Sequence, residues 1–167
     1  MSPVRLPESG TQTSAKATMA KPTAPELTLL SNGTSGLRYL KPNDWALIAD
    51  KASRVKFKKG DYLMHSGKRP DGVYLLLKGT AQVRIPSQGR HPSLGPGEVC
   101  GEMSFLENGR ASVSVVAMEE VETFFIDRAT LQGLFELFPH LGSRFYRSLA
   151  TNLSRRLRDL IVPALGL

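Results

Sequence analysis

The fold turns on Gly72-Val73-Tyr74-Leu75-Leu76-Leu77-Lys78-Gly79-Thr80-Ala81-Gln82-Val83-Arg84-Ile85. Val73, Leu75 and Leu77 fall on one face of an extended run, and Lys78-Gly79 breaks it. Ala81, Val83 and Ile85 then alternate with Gln82 and Arg84. A period of two closed by a glycine turn predicts a half-buried strand, a turn and a second strand.

The same pattern extends to both sides. Upstream, Val55 and Phe57 alternate with Arg54, Lys56 and Lys58, and Lys59-Gly60-Asp61 turns into Tyr62–His65. Ser66-Gly67 and Asp71-Gly72 punctuate the next turn. Downstream, Ser93–Val99 carries turn points at Gly95 and Gly97. Ser112–Ala117 and Val121–Asp127 form two more runs around Met118-Glu119-Glu120. About eight short antiparallel strands, each closed by glycine or proline, predict a sandwich or jelly roll.

Helices flank the strands. Pro42 suits a first helical turn, and Trp45, Leu47, Ile48 and Ala52 keep helical spacing to about residue 52. Leu131, Leu134, Phe135 and Phe138 repeat the amphipathic spacing before Pro139 breaks it. A longer helix is expected over about 140–161, with apolar positions Leu141, Phe145, Leu149, Leu153, Leu157, Leu160 and Ile161, stopped by Pro163. Residues 1–25, rich in Ser, Thr, Pro, Ala and Lys, read as a disordered tail, 26–162 as one domain and 163–167 as a short tail.

Composition narrows the function. The 167 residues are 41 % hydrophobic and 22 % charged, ordinary for a globular protein. No run approaches the roughly 20 apolar residues that span a bilayer, and the N-terminus lacks the apolar core of a signal peptide, so a cytoplasmic protein is expected. One cysteine, Cys100, rules out an internal disulfide and reads as a small core residue between Val99 and Met103. His65, His91 and His140 have no metal-ligand spacing, and no His/Glu cluster supports a jelly-roll metalloenzyme. The chain is expected to have no catalytic residues and no metal. The net charge is +7, with seven Lys or Arg between Lys51 and Arg69 against Asp61 alone. Such a surplus most simply reads as a solvated basic surface.

The segment with chemical character is Gly97-Glu98-Val99-Cys100-Gly101-Glu102-Met103-Ser104-Phe105-Leu106-Glu107-Asn108-Gly109-Arg110-Ala111-Ser112. Gly101 allows close backbone approach, and a single helical turn over Glu102–Leu106 leaves free N–H groups that favour an anion. A carboxylate beside such a site makes sense where it accepts from sugar hydroxyls. Glycine, acid, short helix and arginine together point to a sugar phosphate. A surface turn with stray charges is the alternative.

In this segment, and at Phe57–Asp61 and Gly72–Gly79, the sequence resembles the cyclic-nucleotide-binding domain family, over roughly Leu40–Asp159. The resemblance implies a β-roll, a phosphate-binding cassette and flanking helices that move on ligand binding, with cAMP or cGMP as ligand. It implies that Glu102 binds the ribose 2′-hydroxyl, that Leu106 fills an apolar cassette position and that Ser112 contacts the phosphate. The ligand-binding candidates are Gly101, Glu102, Met103, Ser104, Arg110, Ala111 and Ser112.

One departure matters. Counting forward from Glu102, or back from Val115 and Ala117, places the family's phosphate-binding arginine at Ala111, with Arg110 on the usual proline position. Either the long Arg110 stem reaches the phosphate or the phosphate lacks its charged partner. The missing contact is worth about 1.5–3 kcal/mol, about ten- to a hundred-fold in affinity. Ser154-Arg155-Arg156-Leu157 resembles the final helix of bacterial transcription-factor relatives, but Leu160 and Ile161 stand where some of those carry a base-contacting Thr-Ser pair. Two readings follow: a ligand sensor that passes a helix shift to a protein partner, or a scaffold that has lost its ligand and serves in oligomerisation or docking. A homodimer through the last helix is expected. Sequence-specific DNA binding is not, since little chain follows that helix.

Overall fold

A computed structural model describes residues 16–18, 21–31, 35–86, 89 and 91–166. The elements run β1 (Lys16–Thr18), α1 (Ala24–Leu30), α2 (Pro42–Lys51), β2 (Ser53–Phe57), β3 (Tyr62–Met64), β4 (Gly72–Lys78) and β5 (Ala81–Arg84). They continue with β6 (Ser93–Leu94), β7 (Val99–Cys100), α3 (Glu102–Glu107), β8 (Ser114–Ala117), β9 (Val121–Asp127), α4 (Arg128–Leu137) and α5 (Pro139–Ala164). Two antiparallel sheets, ordered β1-β2-β9-β4-β7 and β3-β8-β5-β6, face each other as a β-roll with helices outside.

The alternation of β4 divides the core in two. Val73, Leu75 and Leu77 face the helices, packing with Trp45, Ile48, Phe105, Leu131, Leu141, Phe145 and Leu149. Tyr74 and Leu76 face inward, with Phe57, Met64, Cys100, Ala111, Val115 and Ala117. Burial pushes the Cys100 thiol far above its usual range, so it stays a protonated core group.

Three features depart from the sequence reading. β1, at the sheet edge beside β2, lies in the stretch read as tail. Part of that stretch lies outside the described residues. An edge strand is held by backbone hydrogen bonds and needs no apolar period. α1 is a fifth helix where four were expected, and it begins at Ala24 inside the same stretch. Its start is closed by the Thr23 amide donating to Glu26 (2.8 Å). Finally, Pro163 does not stop α5, which continues to Ala164. A proline this close to the helix end removes only one hydrogen bond of the final turn.

α2 starts after a poor cap residue, Lys41. The Lys41 amide donates to Asp44 Oδ2 (2.8 Å), and Arg144 of α5 closes on the same carboxylate at 2.6 and 2.7 Å. α1 is tied to the sheet by Arg54, which is 8 % exposed and donates twice to Glu26 at 2.8 Å and once to Glu122 at 3.2 Å. The Arg54 hydrogen bonds hold the Glu26 carboxyl at about 2.

Candidate functional site

The cassette joins β7 to β8 by way of α3. Gly101 precedes the helix with φ +88°, and a Cβ there would lie 2.8 Å from the Gly72 carbonyl oxygen. Only glycine meets both demands, which explains its place before the acid. The Phe105 amide donates to Gly101 O (3.0 Å), closing the first turn. At the far end Asn108 takes a left-handed conformation (φ +52°). Arg69 donates to the Asn108 carbonyl (3.2 Å) and side chain (3.3 Å), and Arg128 donates to Phe105 O (2.5 Å). Both α3 ends are therefore pinned.

Glu102 is the chemical centre. It is 3 % exposed, and the Arg156 guanidinium of α5 donates to Glu102 Oε1 (2.5 Å) and to the Val99 carbonyl (3.2 Å). Burial pushes the Glu102 carboxyl above the usual range against the opposing pull of Arg156. Phe105 makes a second link to the same helix, with ring centroids 5.8 Å from Phe145 and 6.1 Å from Tyr146. The cassette thus touches α5 through one ion pair and one aromatic cluster.

The remaining candidates scatter. Met103 is 49 % exposed. Ser104 is buried and lines, with Arg69, Asp71, Asn108 and Arg128, a shallow solvent-open recess. Ala111 is in the inner core, its amide donating to Lys68 O and its carbonyl accepting from the Gly67 amide, both at 2.8 Å. Arg110 is exposed and its guanidinium donates to Gly67 O at 3.5 Å, its one hydrogen bond among the described residues. Ser112 is exposed, and its carbonyl accepts from the Ser66 hydroxyl (3.3 Å).

Arg156 is the residue that sequence reasoning missed. Its signal was positional: with Phe145, Leu149 and Asn152 it keeps the 4-3-4 spacing of one helix face, and two of those partners are fully buried. A charge on a face turned to the roll calls for a counter-charge. Among the described residues no group of three His, Cys, Asp or Glu is placed to hold a metal, and no helix is long and apolar enough to cross a membrane.

Comparison with known proteins places the fold in a family. The chain is 31 % identical over 124 residues to the cyclic AMP receptor protein of Thermus thermophilus, covering 72 % of this chain and 56 % of that protein. It is 28 % identical over 130 residues to cyclic GMP-binding protein C of Dictyostelium discoideum, 75 % of this chain but 5 % of that protein. The crystal structure of the Thermus thermophilus catabolite activator protein superposes with a TM-score of 0.64 at 30 % identity, over 83 % of this chain and 63 % of that one. The chain spans little more than half of the first relative and a small part of the second. The family model described as the cyclic nucleotide-binding domain matches residues 54–137, half of the chain and all of the cassette, and the chain belongs to that family.

Proposed function

We propose that this is a regulatory domain that takes a cyclic nucleotide, or a related sugar phosphate, at Gly101–Ser112 and reports it through α5 to a protein partner or a second copy of the chain. The observation that carries this reading is the Glu102–Arg156 pair. A buried ion pair gains little for stability over well-packed apolar groups. A pure scaffold has no need to keep an acid 3 % exposed at the cassette. Sugar hydroxyls give that acid a reason to be there, and any ligand that engages it competes with, or adds to, its bond to α5. The Phe105 contacts carry the same displacement to Phe145 and Tyr146.

A second reading, the scaffold that binds no nucleotide, draws on Ala111 and Arg110. The residue at the phosphate position is a buried methyl, and the neighbouring guanidinium is turned to solvent. Under the sensor reading this lowers affinity by about ten- to a hundred-fold relative to a complete cassette.

Isothermal calorimetry with cyclic AMP and cyclic GMP decides between them. The sensor reading expects weak saturable heat, abolished in Glu102→Ala, and tighter binding in the double variant Arg110→Pro/Ala111→Arg. No heat from either protein leaves the scaffold reading. Leu157, Leu160 and Ile161 are exposed on α5, and a second copy is the occupant this reading gives them. Light scattering on the purified chain reads its mass directly; a strict monomer rejects that dimer.

A further inference from the structure

We propose that the arginine-lined face of α5 made by Arg147, Thr151, Arg155 and Arg158, extended by Arg38 and Tyr39, is a docking surface for an acidic protein segment. The spacing of four, four and three keeps these α5 residues on one stripe about 17 Å long. Arg147, Arg155 and Arg158 are exposed, and among the described residues no carboxylate forms an ion pair with any of them. Arg144, one turn earlier, is excluded because Asp44 has taken it at 2.6 Å. Asp159 is the nearest acid in sequence to Arg158.

The N-terminal end of the stripe is pre-organised. The Tyr39 amide donates to Ser148 Oγ (3.1 Å), which fixes that tyrosine against α5. The Arg147 guanidinium then lies 4.1 Å from the Tyr39 ring centroid and that of Arg38 lies 5.1 Å from it. Thr151 donates to the Arg147 carbonyl (2.9 Å), and Arg38 donates to the Tyr39 hydroxyl (3.4 Å). Guanidinium groups held over an aromatic ring lose less freedom on meeting a carboxylate. Arginine and tyrosine are also the residues that anchor protein interfaces.

Charge alone fits any polyanion, but guanidiniums held over a tyrosine ring are the pairing that anchors protein interfaces. Four phosphate contacts give a salt slope of about −3.6 on duplex DNA, so a duplex held by this stripe alone loses about a hundredfold in affinity between about 50 and 200 mM salt. The face needs no ligand in the cassette, so it stands apart from the sensor reading.

The test titrates the ¹⁵N-labelled full chain with a synthetic helical peptide whose glutamates are spaced four apart, at 50 mM salt. Shifts are expected to concentrate at 38–39 and 147–158. Arg147→Ser/Arg155→Ser/Arg158→Ser should weaken binding about tenfold, the sum of three exposed ion pairs. Lys58→Ser/Lys59→Ser, a basic pair elsewhere, should leave it within about twofold, with circular dichroism confirming that each variant is folded. Shifts spread equally over the Lys56–Lys59 patch, or a triple variant that binds like the parent, overturn the proposal. So does tighter binding of a random-sequence DNA duplex or of phosphatidylserine vesicles.

Discussion

Arg156 of α5 and Glu102 of the cassette, 54 residues apart, meet at 2.5 Å on the rim of the roll. The carboxylate is buried and the guanidinium is one-third exposed. This asymmetry fixes what each substitution should do. Arg156→Leu leaves an uncompensated buried acid and is expected to cost about 1–3 kcal/mol, less than a fully buried pair because Arg156 is partly solvated. Glu102→Gln removes a buried charge and is expected to be neutral or stabilising at pH 7. Urea denaturation of both variants and of the double variant gives the coupling. An Arg156→Leu protein as stable as the parent would mean that the pair carries no energy.

The same pair sets a pH dependence. Burial raises the folded-state pKa of Glu102 above its unfolded value. The folded state therefore favours the protonated acid. The group's contribution is most favourable at low pH and is lost as pH rises from the unfolded value, near 4.5, through the folded one. Glu102→Gln should remove this decline, so parent and variant converge at the acid end of a pH-stability series.

Glu26 works in the opposite direction. Arg54 holds its carboxyl at about 2, below the ordinary 4.5. A depressed carboxylate stabilises above its unfolded pKa and loses that contribution as pH falls through the folded value, so the window runs from about pH 4.5 down to 2. Linkage caps the contribution at about 3 kcal/mol. Glu26→Gln should be less stable than the parent at pH 7 and match it near pH 2, read from thermal midpoints.

Gly101 should tolerate no side chain. Its φ of +88° strains any other residue, and an alanine Cβ would sit 2.8 Å from Gly72 O. Gly101→Ala is expected to cost about 2 kcal/mol or more, lowering Tm by about 4–8 °C. A thermal midpoint within a degree of the parent's would show that the turn relaxes freely.

These residues also show what a sequence can reveal. β5 was readable because it has one buried face, so a period of two is written into the chain, whereas β4 is buried on both faces and was legible as a short apolar run closed by glycine at each end. β1 was not, since an edge strand can pair through its backbone with no apolar code. α1 carried a readable start in Thr23 and Glu26, hidden by the polar composition around it. The cassette's turn and helix were local and visible at Gly101 and Glu102. Arg156 was harder to see, because its one signal is its place on the helix face of Phe145 and Leu149, and the run of arginines at 155, 156 and 158 hides it.

The last helix gives the clearest case. Leu141, Phe145, Leu149, Leu153, Leu157 and Ile161 recur every four residues and read as one apolar stripe. At 3.6 residues per turn, each step of four advances about 40°, so the series winds about 200° around the helix. Leu141, Phe145 and Leu149 are at most 1 % exposed, whereas Leu157 is 56 % and Ile161 is 44 % exposed. Leu149→Ala should therefore cost about 2–5 kcal/mol at any protein concentration. Leu157→Ala should cost no more than about 0.5 kcal/mol in a monomer. If a second copy covers α5, the loss at Leu157 appears instead as a Tm that depends on protein concentration in the parent and not in the variant. Equal, concentration-independent losses at the two positions would contradict the winding of the stripe itself.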